Sequence, residues 1–287
     1  MIDGVLPDPR RHAYRDDIAH DSLSDRVKAA RYVSGERRQV KAPVLPLRRA
    51  PRPDSRLESE ALLGEMLILL DEEEGWAWVQ LERDGYVGYI PADGLTADIV
   101  TPTHRIAALR TYVFARPDGK SVPLSMLSLN AAVRVTGEEG RFIAIEGGGF
   151  VFAGHAAPLG TVAPDYVAVA EGFLGAPYLW GGRTSIGLDC SGLVQLSAEA
   201  AGIKCPRDAD LQAQECGLPV AERDALELRR GDLVFWDGHV GIMASPTELL
   251  NANAHHMAVK CEPLDIAKAR IKAALASDPI GVRRFSN

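Results

Sequence analysis

Cys190 and His239 are the two side chains whose types and settings suit nucleophilic acyl chemistry. Cys190 follows a glycine-rich run, Tyr178-Leu-Trp-Gly-Gly-Arg-Thr-Ser-Ile-Gly-Leu-Asp-Cys-Ser-Gly-Leu193, and opens an apolar stretch. A thiol on the first turn of a helix meets unsatisfied N–H groups and the positive end of the helix dipole, and both favour thiolate. Thiolate is the nucleophile of cysteine hydrolases, so the run predicts an activated, accessible Cys190. The competing reading is a packed structural cysteine, the usual fate of Cys in a folded domain.

The elements that must position these groups are legible. Leu193, Val194, Leu196 and Ala200 give the helix an apolar face, and Gly202 is a natural stop. Gly231-Asp-Leu-Val-Phe-Trp236 reads as a buried strand and Asp237-Gly238 as a tight turn. His239-Val-Gly-Ile-Met-Ala-Ser245 reads as the antiparallel partner. His239 therefore begins a strand, a fixed place from which a base can reach a helix-borne thiol.

The Asp-Cys-Ser-Gly helix start, with Gly-Asp-Leu-Val-Phe-Trp and His-Val-Gly-Ile about fifty residues further on, resembles the NlpC/P60 cysteine peptidases. The resemblance covers roughly residues 162–287. It implies a papain-like α+β fold, Cys190 as nucleophile and His239 as general base. The family's third polar residue orients the histidine from the next strand, here Leu249-Leu250-Asn251-Ala252, so Asn251 stands where His is commoner. An Asn can orient an imidazole through its side-chain carbonyl but carries no charge. Asn253, His255 and His256 compete for the role, and a simple hairpin register puts residues around 253–255 opposite His239. His255 and His256 read more simply as an exposed strand end.

The chain has 287 residues, 46% hydrophobic and 25% charged, ordinary globular usage that suggests two or three domains. Its net charge of −7 argues against nucleic acid as a partner. No apolar run approaches the ~18–20 residues needed to span a membrane. The first residues lack a secretory apolar core, and the four cysteines (Cys190, Cys205, Cys216, Cys261) match neither a zinc site nor a dense disulfide frame. Reduced thiols in a cytoplasmic protein are the simplest expectation.

Between residues 36 and 160 the chain repeats itself. Glu74-Gly75-Trp-Ala-Trp-Val-Gln-Leu81 and Asp84-Gly85-Tyr-Val-Gly-Tyr89 parallel Glu139-Gly140-Arg-Phe-Ile-Ala-Ile145 and Gly148-Gly149-Phe-Val-Phe152, about 65 residues on. Short alternating strands are predicted at 65–70, 76–81 and 86–90, then at 132–135, 142–145 and 150–153, as in small β-barrels. They resemble bacterial SH3 (SH3b) domains. The expected organisation is a leader over residues 1–35 with a helical patch from Ser22 to Tyr32, SH3b domains over 36–98 and 99–160, and a catalytic domain over 161–287. In dipeptidyl-peptidase members of the family the first SH3b domain closes the non-primed end of the cleft. That resemblance makes Glu65 and Tyr86 candidate substrate contacts; the simpler readings are a solvated Glu and a core Tyr.

Pro206-Arg207-Asp208 resembles the segment that endopeptidase relatives fill with Arg-Ser or Arg-Thr and dipeptidyl-peptidase relatives with Arg-Asp. Arg207 and Asp208 are thus assigned to substrate binding, Asp208 facing the substrate ammonium; its alternative is a helix N-cap. Asp189 is either a substrate contact or the cap of the Cys190 helix. Tyr178 is a cleft tyrosine by resemblance and half-buried packing otherwise, and Ser191 is a further contact. The implied substrate is a murein tripeptide or tetrapeptide, L-Ala-γ-D-Glu-diaminopimelate or its Lys analogue, cut after D-Glu during recycling. No metal or cofactor is implied. A less selective exported wall endopeptidase, a Cys-His acyltransferase relative and a silent SH3b scaffold are the other readings.

Overall fold

The computed structural model describes residues 5–221 and 227–286. The chain forms two compact units, residues 1–159 and 160–287.

Unit 1 opens with two short parallel strands, β1 (Ile18–His20) and β2 (Arg31–Val33). The segment between them forms no α-helix, contrary to the helical patch expected there. It makes one 3₁₀ turn at Asp21–Leu23, begun where the His20 side chain accepts from Ser22 N–H. Leu23 and Val27 tuck beside Ala19 in a small apolar cluster. Asp and Ser side chains compete for backbone groups and favour such turns over helix.

Seven further strands follow: β3 (Glu36–Val40), β4 (Val44–Arg48), β5 (Leu57–Leu62), β6 (Met66–Glu73), β7 (Trp76–Leu81), β8 (Val87–Pro91) and β9 (Leu95–Thr96). They form one sheet in the order β5-β4-β8-β7-β6-β3-β9. Alternation puts Leu45, Leu47, Leu67, Ala77, Val79, Leu81 and Ile90 into its core. The rest of unit 1 comprises β10 (His104–Ile106), β11 (Arg110–Phe114), β12 (Pro123–Ser128), β13 (Ala132–Val133), β14 (Val135–Glu139), β15 (Phe142–Ile145), β16 (Phe150–Phe152) and β17 (Ala156–Pro158). These make a five-stranded sheet, β12-β11-β16-β15-β14, and a three-stranded one, β13-β10-β17. The strand expected at 132–135 divides at Arg134: its first part pairs with β10 and its continuation with β15.

Unit 2 begins with α1 (Tyr166–Glu171), the two-residue strands β18 (Arg183–Thr184) and β19 (Gly187–Leu188), then α2 (Cys190–Ala200) and α3 (Ala209–Glu215). Its sheet comprises β20 (Leu218–Pro219), β21 (Asp232–Trp236), β22 (His239–Met243), β23 (Glu248–Asn253), β24 (Ala258–Pro263) and, after α4 (Leu264–Leu275), β25 (Gly281–Arg284). The order is β20-β25-β21-β22-β23-β24. Every residue of β21 and β22 is buried, in keeping with the continuous apolar runs Leu233–Trp236 and Val240–Met243 that follow Asp232 and His239. Trp236, Met243 and Leu249 pack with Leu264, Ala267 and Ile271 of α4. Trp236 pairs with His239 across the two-residue Asp237-Gly238 turn, where Gly238 adopts φ +70°. The architecture is α+β.

Candidate active site

The start of α2 is held by a buried polar knot. Asp189 is its N-cap, with Oδ1 accepting from Gly192 N–H at 2.7 Å and Oδ2 accepting from Gly181 N–H at 2.8 Å. Arg207 grips the same carboxylate as a fork, Nη1 to Oδ1 at 2.9 Å and Nη2 to Oδ2 at 2.8 Å. Its Nη1 also donates to Ser191 Oγ at 2.9 Å, and Gln212 Nε2 donates to the Ser191 carbonyl at 2.9 Å. The glycines permit this closeness: a Cβ on Gly192 would lie 2.4 Å from the Gly182 carbonyl oxygen.

Three expected substrate contacts are therefore part of the scaffold. Arg207 is only 1% exposed, Asp189 spends its carboxylate on the helix cap and the ion pair, and the Ser191 hydroxyl is bound between them. A guanidinium can be buried only with its fork matched, and Asp189 matches it.

Cys190 is also more enclosed than expected. It is 8% exposed, and burial pushes its thiol up to about 12, with the Asp189 charge adding to the effect. Hydrogen bonds from the Val240 and Ser191 backbone N–H groups work in the opposite direction, as does the Arg207 charge. Desolvation thus outweighs the helix start and works against the thiolate. α2, which Cys190 opens, packs against β22, the strand that His239 begins.

His239 is buried at the start of β22, its ring 5.9 Å from that of Trp236. Burial and the nearby Arg270 charge pull its pKa down to about 4; the Asn251 side chain, Glu262 and Asp189 favour the protonated ring but do not prevail. Nε2 has no hydrogen-bond partner among the described residues. Asn251 is fully buried and is itself anchored. Its Nδ2 donates to Glu262 Oε1 at 3.1 Å, and its Oδ1 accepts from Asn253 Nδ2 at 2.8 Å. A carboxylate can only accept, so Glu262 decides which end of the amide is which. Arg270 donates to Glu262 Oε1 at 2.6 Å. Burial works to raise the Glu262 pKa, but hydrogen bonds from Arg270 and Asn251 outweigh it and hold the carboxylate ionised.

Glu262 and Arg270 escaped sequence reasoning: an ion pair between β24 and α4 leaves no signature in spacing. His255 and His256 lie in the exposed turn after β23, where His256 Nδ1 lies 3.0 Å from Asn253 Oδ1. Tyr178 is half-buried, its N–H donating to the Met257 carbonyl at 3.0 Å. Asp208 is half-buried at the N-cap position of α3, yet its side chain makes no capping bond.

In unit 1, Tyr86 is 3% exposed and belongs to the apolar core with Leu81 and Ile90, so it is not a surface contact. Glu65 lies 3.8 Å from Arg83, which also pairs with Asp84 at 3.0 Å. Burial raises the Glu65 pKa to about 7; Arg83 opposes this and Asp84 adds to it. Among the described residues no group of three or more His, Cys, Asp and Glu is arranged to hold a metal, and no helix is long and apolar enough to cross a membrane.

Residues 175–274 match the NlpC/P60 family and residues 47–95 the bacterial dipeptidyl-peptidase Sh3 domain. The chain is similar to the gamma-D-glutamyl-L-lysine dipeptidyl-peptidase of Bacillus cereus, 26% identical over 71% of this chain and 65% of that protein, slightly under two thirds of its length. The enzyme of the same name from Bacillus subtilis is 26% identical over 69% of this chain and 73% of its own length. An NlpC/P60 family protein of Bacillus cereus, known from its crystal structure, superposes with a TM-score of 0.72 at 21% identity. That likeness covers 87% of this chain and 99% of the other and is one of fold. The chain thus carries a bacterial SH3 domain followed by an NlpC/P60 domain of the cysteine-peptidase type, and its second unit belongs to the NlpC/P60 family.

Proposed function

We propose that the protein is a peptidoglycan peptidase that cuts the γ-D-Glu–diamino acid bond of wall-derived peptides bearing a free N-terminal L-Ala, releasing L-Ala-D-Glu. The observation that carries this reading is the placement of Cys190 on the first turn of α2, which packs against β22, begun by His239, and against the neighbouring β23, which carries Asn251. Burial disfavours the charged form of both groups, so proton transfer from Cys190 to His239 is coupled to attack on the carbonyl. The Cys190 backbone N–H, on the first turn of α2, is the oxyanion donor. Protonated His239 then gives its proton to the leaving amine, and water resolves the thioester. Asn251 steadies the imidazole and, lacking charge, leaves the imidazolium short-lived.

Specificity for a free amine rests on Asp208, which follows the anchored Arg207 in the segment resembling Arg-Asp of dipeptidyl-peptidases. The names of the two relatives above support the same bond. Such a protein acts on released wall fragments, a recycling role we place in the cytoplasm. The test compares L-Ala-γ-D-Glu-L-Lys and the diaminopimelate analogue with their N-acetylated forms, using mass spectrometry of the products. Cleavage after D-Glu is expected for the free amines, with efficiency on the acetylated forms lower by about 30-fold to several thousand-fold. Equal cleavage of acetylated or glycan-linked stems overturns the amine requirement and favours a wall endopeptidase.

A further inference from the structure

The geometry points to a redox-sensitive clasp in unit 2, formed by Cys205 and Cys216 and closed by two-electron oxidation with a hydroperoxide. The two sulfurs lie 3.4 Å apart, although the residues are eleven positions apart in sequence. Both are buried, 6% and 2% exposed, and neither takes part in the proposed chemistry at Cys190. Cys205 lies between α2 and α3, and Cys216 is the C-cap of α3.

Their backbones are held from both sides. Gln195 Nε2 donates to the Cys205 carbonyl at 3.0 Å. The Arg283 guanidinium binds the carbonyls of Ala213, Cys216 and Gly217. The thiols are thus set in apposition by fixed main chain. Closing to a bond of about 2.0 Å needs a sulfur movement that rotation about both Cα–Cβ bonds can share.

The chemistry balances. One thiol attacks hydrogen peroxide, its S–H becoming S–OH as the O–O bond breaks and one water leaves. The second sulfur then attacks the sulfenic sulfur, and the hydroxyl departs with the thiol proton as a second water. Two thiols are oxidised to one disulfide and one peroxide is reduced to two waters.

The closed loop would enclose Arg207, which holds Asp189, and Gln212, which holds the Ser191 carbonyl. Oxidation therefore ties together the segment that braces the start of α2. Cys190 is no partner in it, because it opens α2 while Cys205 and Cys216 flank α3 and already face each other at 3.4 Å.

The test treats the full-length Cys190→Ser/Cys261→Ser protein with hydrogen peroxide, leaving only this pair of thiols. The expected product loses two hydrogen masses, yields a peptide linked between positions 205 and 216, and reverts with dithiothreitol. Its Tm rises by roughly 5–10 °C, and a further Cys216→Ala change abolishes the rise. Should the double variant fold poorly, peptide mapping of oxidised wild-type protein reads the same link. Oxygen addition without a link, a link from either cysteine to Cys190, or no change in mass overturns the inference. None of these outcomes depends on which peptide the protein cleaves.

Discussion

Arg207→Ala separates the scaffold role found here from a substrate-binding role. The Arg207–Asp189 pair is buried, with side chains 1% and 8% exposed and two charge-assisted bonds of 2.8 and 2.9 Å. Truncation removes both, together with the bond to Ser191 Oγ, and leaves the Asp189 carboxylate on two backbone N–H groups and the Ser191 hydroxyl. Breaking one side of such a pair costs about 3–5 kcal/mol, against a total stability on the order of 5–15 kcal/mol. For a unit of this size that is a Tm loss of roughly 10–20 °C. Arg207→Lys keeps the charge but not the fork and should lose about half as much. Calorimetry on the full chain, which reports the two units' transitions, is the assay. On folded material at low temperature the variant should lose kcat, because the cap of the Cys190 helix is loosened, while KM changes little. A Tm within about 2 °C of wild type together with a raised KM would refute the argument and return Arg207 to the substrate.

Three further outcomes follow from the same geometry. His239 sits near 4 in place of its ordinary 6.5, so its contribution to stability is complete above 6.5 and lost as pH falls toward 4. Cys190 sits near 12 in place of 9.0, so its contribution is complete below 9 and lost as pH rises toward 12. Unit 2 should therefore show a plateau between these limits, and iodoacetamide should label Cys190 slowly at pH 7; rapid labelling at pH 6 would contradict a resting thiol. Asn251→Ala should cut turnover on the order of 10- to 100-fold with little change in KM. If His256→Ala does so instead, Asn251 is not the positioning residue. Glu65→Gln should raise the stability of unit 1 above pH 7, since a carboxyl whose pKa is raised to about 7 loses its stabilising contribution as pH climbs from 4.5. Unchanged or lowered stability at pH 8 would show that Arg83 compensates the ionised form.

The sequence by itself determined the family and the elements around the site, though not the 22–32 segment, where a helix was expected and a 3₁₀ turn formed. Unbroken apolar runs and the Asp-Gly turn defined the β21–β22 hairpin, the period of α2 defined the helix, and the Gly-rich approach to Cys190 placed that residue at its first turn. These signals are local, carried by side-chain period and backbone conformational preference, so they survive without tertiary information. Tertiary structure decided what each polar residue does. Arg207 and Asp208 are neighbours in sequence, yet one is clamped to Asp189 within the scaffold and the other stands at the start of α3. Glu262 reaches Asn251 from β24 and Arg270 reaches Glu262 from α4, a relay that no spacing announces. The protonation of Cys190 depended on the same distinction: a helix start is visible in sequence, but the burial that pushes the thiol up to about 12 is a sum over neighbours from the whole fold.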